Sequence, residues 1–393
     1  MILVGCSQDD YEEQPQASQG TFIPEVASYV TWFEELQGTS GSSRSNEPIK
    51  HIKPNKVWGL PTGYAAYEGG EQPIGIAFTQ DTKEPMMGSF FFSSGKWRTS
   101  IDDIEAETYY LYGYIPHLPA IRYSITDYNG GSTDEEKNAD YSTGAIMTLE
   151  NVPTVMPNDL CVVIGAKDGT DEETVDGLRM GDFAYEAKAI SEVDGKKVDG
   201  GNYVFLLFDH LYAALRVRMK VYDTYAKMRT INLKSLQLST QAGETTSKVH
   251  NTITIELKAT DGSDTKESPI QSITYEQTGA TIGSDDKKGI EFWKSETSAG
   301  QELTTSFQDF TGHFMPSGIT TLVLTSIYDV YDTKGNKIRE DCSATNTMVL
   351  KDLLTEQTET QRGKKYTVNM TILPTYLYVL SEPDLDNPTV TLE

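Results

Sequence analysis

Hydrophobicity with a period of two recurs along this chain and admits few folds. Val217, Met219 and Val221 alternate with Arg216, Arg218 and Lys220. Ile253, Ile255 and Leu257 alternate with Thr252, Thr254, Glu256 and Lys258, and Tyr366, Val368, Met370 and Ile372 with Thr367, Asn369 and Thr371. Successive side chains of a strand leave opposite faces, so each run predicts a strand with one face in a core and one in water. Turn-forming residues separate such runs: Asn129-Gly130-Gly131, Asp194-Gly195, Asp261-Gly262 and Lys334-Gly335-Asn336. Tyr328–Lys337 reads as a hairpin closed by Asp332-Thr333-Lys334-Gly335-Asn336. Helical spacing is limited to Ser28–Leu36 and Leu353–Thr360, a turn or two each. Short strands with so few helices predict an all-β chain built of β-sandwiches.

A length of 393 residues allows two or more cores, and 37% hydrophobic with 10% aromatic residues is too apolar for a disordered chain. The 22 tyrosines suit half-buried strands. A formal charge of −25 argues against nucleic acid and against polybasic contact with anionic lipid. No run approaches the roughly 18–20 apolar residues of a membrane-spanning helix.

Any bilayer attachment is therefore expected at the amino terminus. Leu3-Val4-Gly5-Cys6 has the form of a lipobox, with Cys6 as the lipidated residue. Five residues precede Cys6, fewer than the roughly 7–15 of a secretory h-region. Acidic residues follow at once in Asp9-Asp10-Tyr11-Glu12-Glu13, so residues 1–20 read as an anchor and a solvated tether. Next come an apolar segment, Phe22–Phe33, and a Gly/Ser loop, Gln37–Ser45, with Arg44 inside it. A seam near Gly200-Gly201 divides the remainder into domains at 21–201 and 202–393, the second finishing on the alternating tail Pro388–Glu393. An apolar segment at one end and an extended one at the other suit β-strand exchange between subunits, in which backbone hydrogen bonds supply affinity.

Signatures of catalysis are lacking. His51, His117, His210, His250 and His313 show no i,i+4 pairing, no Gly-x-Ser-x-Gly elbow occurs, and no glycine loop cradles phosphate. Ser93-Ser94-Gly95-Lys96 matches Ser-x-x-Lys but sits in a turn between strands. His210 reads as a core or turn histidine, and Cys161, in Leu160-Cys161-Val162-Val163-Ile164, as a buried thiol. The acidic runs Asp134–Glu136 and Asp168–Glu173 lack calcium-loop spacing, and no Cys-x-x-Cys suggests zinc. No metal site, cofactor or enzymatic activity is expected. Trp97 and Tyr109-Tyr110-Leu111-Tyr112 offer an aromatic surface that a sugar could stack on, which keeps a surface-anchored glycan-binding lipoprotein as the alternative.

In organisation the chain resembles the fimbrillin family of Bacteroidales, lipoprotein pilins of type V pili. Three stretches carry the resemblance: Arg362–Ser381, like the closing strands of such proteins; Phe208-Asp209-His210 and the strand after it; and Tyr112-Gly113-Tyr114-Ile115-Pro116. The resemblance implies two tandem transthyretin-like β-sandwich domains with short helical insertions. It further implies export to the outer membrane as a lipoprotein anchored at Cys6, and cleavage at Arg44 by an arginine-specific protease. Cleavage would release a strand within Phe22–Phe33 that includes Phe22, Val26, Val30 and Phe33. The vacated groove would take another subunit's tail, with Tyr376, Tyr378, Leu380, Val390 and Leu392 as donor residues. The implied product is a cell-surface fimbria whose partners are other pilin subunits and a host or bacterial surface receptor.

Overall fold

Most apolar runs in this chain are too short to be buried alone, and they find cover by stacking as sheets. The computed structural model describes residues 22–25, 49–52, 73–93, 96–101, 104–128, 139–153, 159–168, 179–188, 190–193, 196–199, 204–242, 245–247, 250–260, 268–276, 290–353 and 358–372. Strands dominate among these, and the fold is all-β. Helix is limited among them to two single turns, Asp223–Ala226 and Leu350–Leu353. The second turn comes just ahead of the helix expected over Leu353–Thr360.

An eight-stranded sheet forms the centre of the first sandwich. Its order is β2 (Ile49–Ile52), β13 (Val204–His210), β9 (Cys161–Asp168), β6 (Thr108–Ile115), β3 (Ile74–Thr79), β4 (Met86–Ser93) and β5 (Lys96–Thr99), and β10 (Ala184–Glu186) also pairs with β6. β3 is buried along its whole length, and β9 at its first six positions. Both faces of this sheet are covered, which explains why these strands read as continuous apolar runs. Ile76, Phe78, Leu111, Val163 and Phe208 fill one side. Ala77, Tyr112, Tyr114, Val162 and Ile164 fill the other, against Ile125, Met147, Leu149, Ile253, Ile255 and Leu257.

Those last six residues belong to a four-stranded sheet ordered β18 (Ile270–Glu276), β17 (Thr252–Lys258), β8 (Gly144–Glu150) and β7 (Arg122–Asp127). It takes two strands from each side of the seam expected at Gly200-Gly201. β17 pairs antiparallel with β8 from Thr252 opposite Glu150 to Lys258 opposite Gly144. The hairpin of β17 and β18 thus completes a sheet begun by the amino-terminal half.

The second sandwich has its own core. One sheet runs β1 (Phe22–Glu25), β24 (Lys365–Ile372), β14 (Ala213–Val221) and β21 (Gln308–Met315). The other runs β16 (Thr245–Ser247), β15 (Arg229–Ala242), β22 (Thr321–Asp332) and β23 (Lys337–Val349), with β19 (Ile290–Lys294) and β20 (Gln301–Glu302) also on β15. A separate hairpin joins β11 (Ile190–Val193) to β12 (Lys196–Asp199). Val217, Met219, Val221, Val368, Met370 and Ile372 face Leu236, Leu238, Leu322 and Leu324. The alternation is therefore realised, with departures on β17, where Thr252 is 5% exposed, and on β24. Thr367, Asn369 and Thr371 were expected in water, yet they are 8%, 6% and 4% exposed.

The expected hairpin at Tyr328–Lys337 is present. The carboxylate of Asp332 accepts the N–H groups of Lys334 and Asn336 on Oδ1, each at 2.8 Å. Gly335 closes the turn at φ +81°, with nothing within 4 Å of where a Cβ would sit. Only the backbone conformation opposes a side chain there, so Gly335→Ala should cost about 1 kcal/mol, read as a lowered denaturation midpoint with unchanged m-value.

Where the chain passes from β13 to β14, Leu211 and Tyr212 are buried against the borrowed hairpin. The Tyr212 hydroxyl and Nε2 of His250 share a hydrogen bond at 2.7 Å, and Tyr275 donates to the Leu211 carbonyl. Burial drives the His250 imidazole down from 6.5 to about 4. Between those values the unfolded chain binds a proton that the native site refuses, so stability falls as pH drops through that window. The full effect is about 3 kcal/mol. A melting series from pH 7 to 4 should show this loss, and His250→Gln should flatten part of it.

Candidate functional site

The backbone at a sheet edge is the hydrogen-bonding surface a strand leaves unspent, so strand exchange between chains acts at such edges. β24 lies parallel to β14 over Lys365–Ile372. Its base is fixed at the junction between the sandwiches: Gly363 donates its N–H to the Tyr212 carbonyl at 2.8 Å, Ala214 donates to the Lys364 carbonyl at 2.9 Å, and Arg362 pairs with Asp209. On its other side β24 meets β1, antiparallel, with Phe22 opposite Val368, Ile23 opposite Thr367, Pro24 opposite Tyr366 and Glu25 opposite Lys365. Among the described residues no strand lies beside Asn369–Ile372 on that side. Asn369 Oδ1 is buried and has no hydrogen-bond partner among the described residues. β1 contains a proline, which lacks an N–H and is tolerated at a sheet edge.

This placement corrects one expectation. The segment beginning at Phe22 was assigned to the amino-terminal sandwich, yet Phe22–Glu25 caps the sheet of the second one. In the first sandwich β13 lies between β9 and β2, with Ile52 opposite Leu206 and Ile49 opposite Phe208. A four-residue strand carries too little pattern to specify its partner. Arg44 falls between β1 and β2 in sequence, so these two neighbouring strands serve different sheets. Cys6, Arg44, Val26, Val30, Phe33, Tyr376, Tyr378, Leu380, Val390 and Leu392 lie outside the described residues.

Among the described residues of the run expected to offer a sugar surface, Tyr109 and Tyr112 are core and Tyr110 is half-buried. Tyr109, Tyr112 and Tyr114 are 2%, 0% and 0% exposed. Tyr112 donates its hydroxyl to the Tyr141 carbonyl at 2.6 Å, with its ring 4.6 Å from that of Phe183. Burial pushes its phenol well above the usual value. The sequence run is strand β6, whose two faces are both covered. The Trp97 side chain lies outside the described set. Ser93 and Lys96 face each other across the β4–β5 hairpin, as their turn reading requires.

One cluster was not legible in the sequence. The imidazole Nδ1 of His210 lies 2.8 Å from Asp159 Oδ1 and 3.5 Å from Cys161 Sγ. Both contacts use the same nitrogen. A nucleophilic relay needs the two ring nitrogens to face different partners, so this geometry does not activate the thiol for covalent catalysis. At the far end of the second sandwich, Asp329 is fully buried and takes the Asp341 N–H at 2.9 Å, Lys337 Nζ at 2.9 Å and Lys234 Nζ at 3.3 Å. Burial pushes its carboxyl upward, but the Asp341 N–H and the two ammonium groups outweigh that and hold it below the ordinary value. This network ties β15, β22 and β23 together.

No protein-family model matches the chain, and no curated protein does. Solved structures do resemble it. A fimbrial protein from Bacteroides vulgatus shares 11% identity over 78% of this chain and 89% of its own, with a TM-score of 0.36. A candidate cell adhesion protein from Bacteroides uniformis shares 12% over 83% and 94%, with a TM-score of 0.31. A candidate adhesin from Bacteroides ovatus shares 9% over 86% and 93%, with a TM-score of 0.30. Likeness at this level of identity and superposition carries no functional argument.

The core role of Tyr112 is open to a direct check. Tyr112→Phe keeps the ring and strands the Tyr141 carbonyl, so it should cost about 1–3 kcal/mol in chemical denaturation. Tyr112→Ala should cost about 3–5 kcal/mol, since it also leaves a cavity.

Proposed function

We propose that this chain is a structural subunit of a cell-surface fimbria, held to the outer membrane through Cys6 until processed and polymerised by β-strand exchange. The observation that carries the reading is the incomplete edge of β24. β1 covers Lys365–Val368, and β24 runs on to Ile372. A ribbon of four residues is a weak cap. At about 0.5–1.5 kcal/mol net per hydrogen bond, it contributes on the order of 2–4 kcal/mol. A longer strand from a second subunit would cover more of the same edge and displace it.

The primary sequence supplies the trigger. A single cut at Arg44 separates β1 from the body of the chain and leaves β2 in place. β1 then dissociates at the cost of its few hydrogen bonds, and the edge of β24 becomes free. The tail after Pro374, with Tyr376, Tyr378, Leu380, Val390 and Leu392, is the strand offered to the next subunit. The fold derived above supports this reading over an enzymatic one, because its ordered side chains are spent on cores and ladders. Surface adhesion through a host or bacterial receptor is the role we assign to the assembled polymer.

Limited trypsin treatment of the purified chain tests the scheme, with Arg44→Gln as the resistant control. The cut protein should melt below the intact one and form oligomers that survive SDS, and a synthetic peptide of residues 373–393 should restore the melting temperature. A cut protein that stays monomeric and melts with the intact chain would overturn it.

A further inference from the structure

Three different ligand atoms converge inside the first sandwich. β9 and β13 are antiparallel neighbours whose register sets Cys161 directly opposite His210. Asp159 precedes Cys161 by two positions, and the period of two returns it to the same side. The imidazole Nδ1, the thiol and one carboxylate oxygen all lie within 4.8 Å of one another. Asp159, Cys161 and His210 are 4%, 0% and 5% exposed.

We propose that Asp159, Cys161 and His210 form a binding site for a zinc-like divalent ion, with a water as fourth ligand. Nitrogen, thiolate and carboxylate together are the donor set of Zn(II) sites. Bonds of roughly 2.0–2.3 Å at tetrahedral angles put the nitrogen and sulfur ligands about 3.6 Å apart, and the nitrogen and oxygen about 3.3 Å apart. The Cys161–His210 separation of 3.5 Å already fits, and the His210–Asp159 contact of 2.8 Å has to open by about half an ångström. On binding, the thiol releases its proton to solvent, and the imidazole stays neutral by carrying its one hydrogen on Nε2 while the Nδ1 lone pair takes the metal.

Charge balance favours this occupant. Thiolate and carboxylate together carry two negative charges and imidazole none, so a dication leaves the buried site neutral. Neutrality matters there because uncompensated charge in an apolar interior is costly. The ion would clamp the start of β9 to the end of β13. That is the point where the chain leaves the first sandwich through Leu211 and Tyr212 for β14.

The test is metal uptake by the full chain, refolded from denaturant with Zn(II) or Co(II) and dialysed against metal-free buffer. A Cys6→Ser, Cys342→Ser background leaves Cys161 as the one thiol. Expected are about one equivalent of Zn(II) per chain and, with Co(II), a thiolate-to-metal charge-transfer band. Adding Cys161→Ala should abolish that band, and Asp159→Asn should weaken Zn(II) binding at least about tenfold. Failure of the parent protein to retain stoichiometric metal, or cobalt bound without the charge-transfer band, would overturn the proposal whatever the variants do.

Discussion

The pairing of β17 with β8 is the interaction on which the rest of this structure depends. It runs over seven consecutive residue pairs without a slip and brings Ile253, Ile255 and Leu257 onto the same core as Met147 and Leu149. Without it, β7 and β8 would form a two-stranded ribbon, too narrow to cover the inner face of an eight-stranded sheet. Tyr112, Tyr114, Val162 and Ile164 would then lose cover. The register is exacting at its end, where Gly144 sits at φ +138° and a Cβ there would meet the Leu257 carbonyl oxygen at 2.1 Å. The Tyr212–His250 bond and the Tyr275 contact secure the same hairpin from below.

Local pattern in the sequence carried the elements well. The alternating residues of β14, β17 and β24 each place their apolar set in a core. The Asp332–Asn336 turn forms where the glycine and the acid predict it. Partnership between strands was another matter. Nothing in the period of two tells β17 to pair with the distant β8 as well as with its sequence neighbour β18, because alternation records which face is buried and not what buries it. For the same reason Phe22–Glu25 could be read as extended but not assigned to β24.

The candidate sites show the same division. Cys161 and His210 each read as core residues in the sequence, and only strand register sets them opposite one another, with Asp159 beside them. The tyrosines of β6 misled in the opposite direction: a phenol looks amphipathic in sequence, and here its hydroxyl reaches a backbone carbonyl inside the protein. Polar side chains on β24 erred likewise, since Thr367, Asn369 and Thr371 face away from the main core and are still shielded.

The borrowed hairpin also sets an order of events. A chain emerging amino-terminus first presents β3 through β9 early, but the second layer over them stays unfinished until residue 258 has followed. Long-range closure of this kind is slow, and it keeps the early half from locking into a compact body. A polypeptide threaded through a narrow conduit would thus arrive on the far side still pliable, and its first lobe would set only once the last of the hairpin was through.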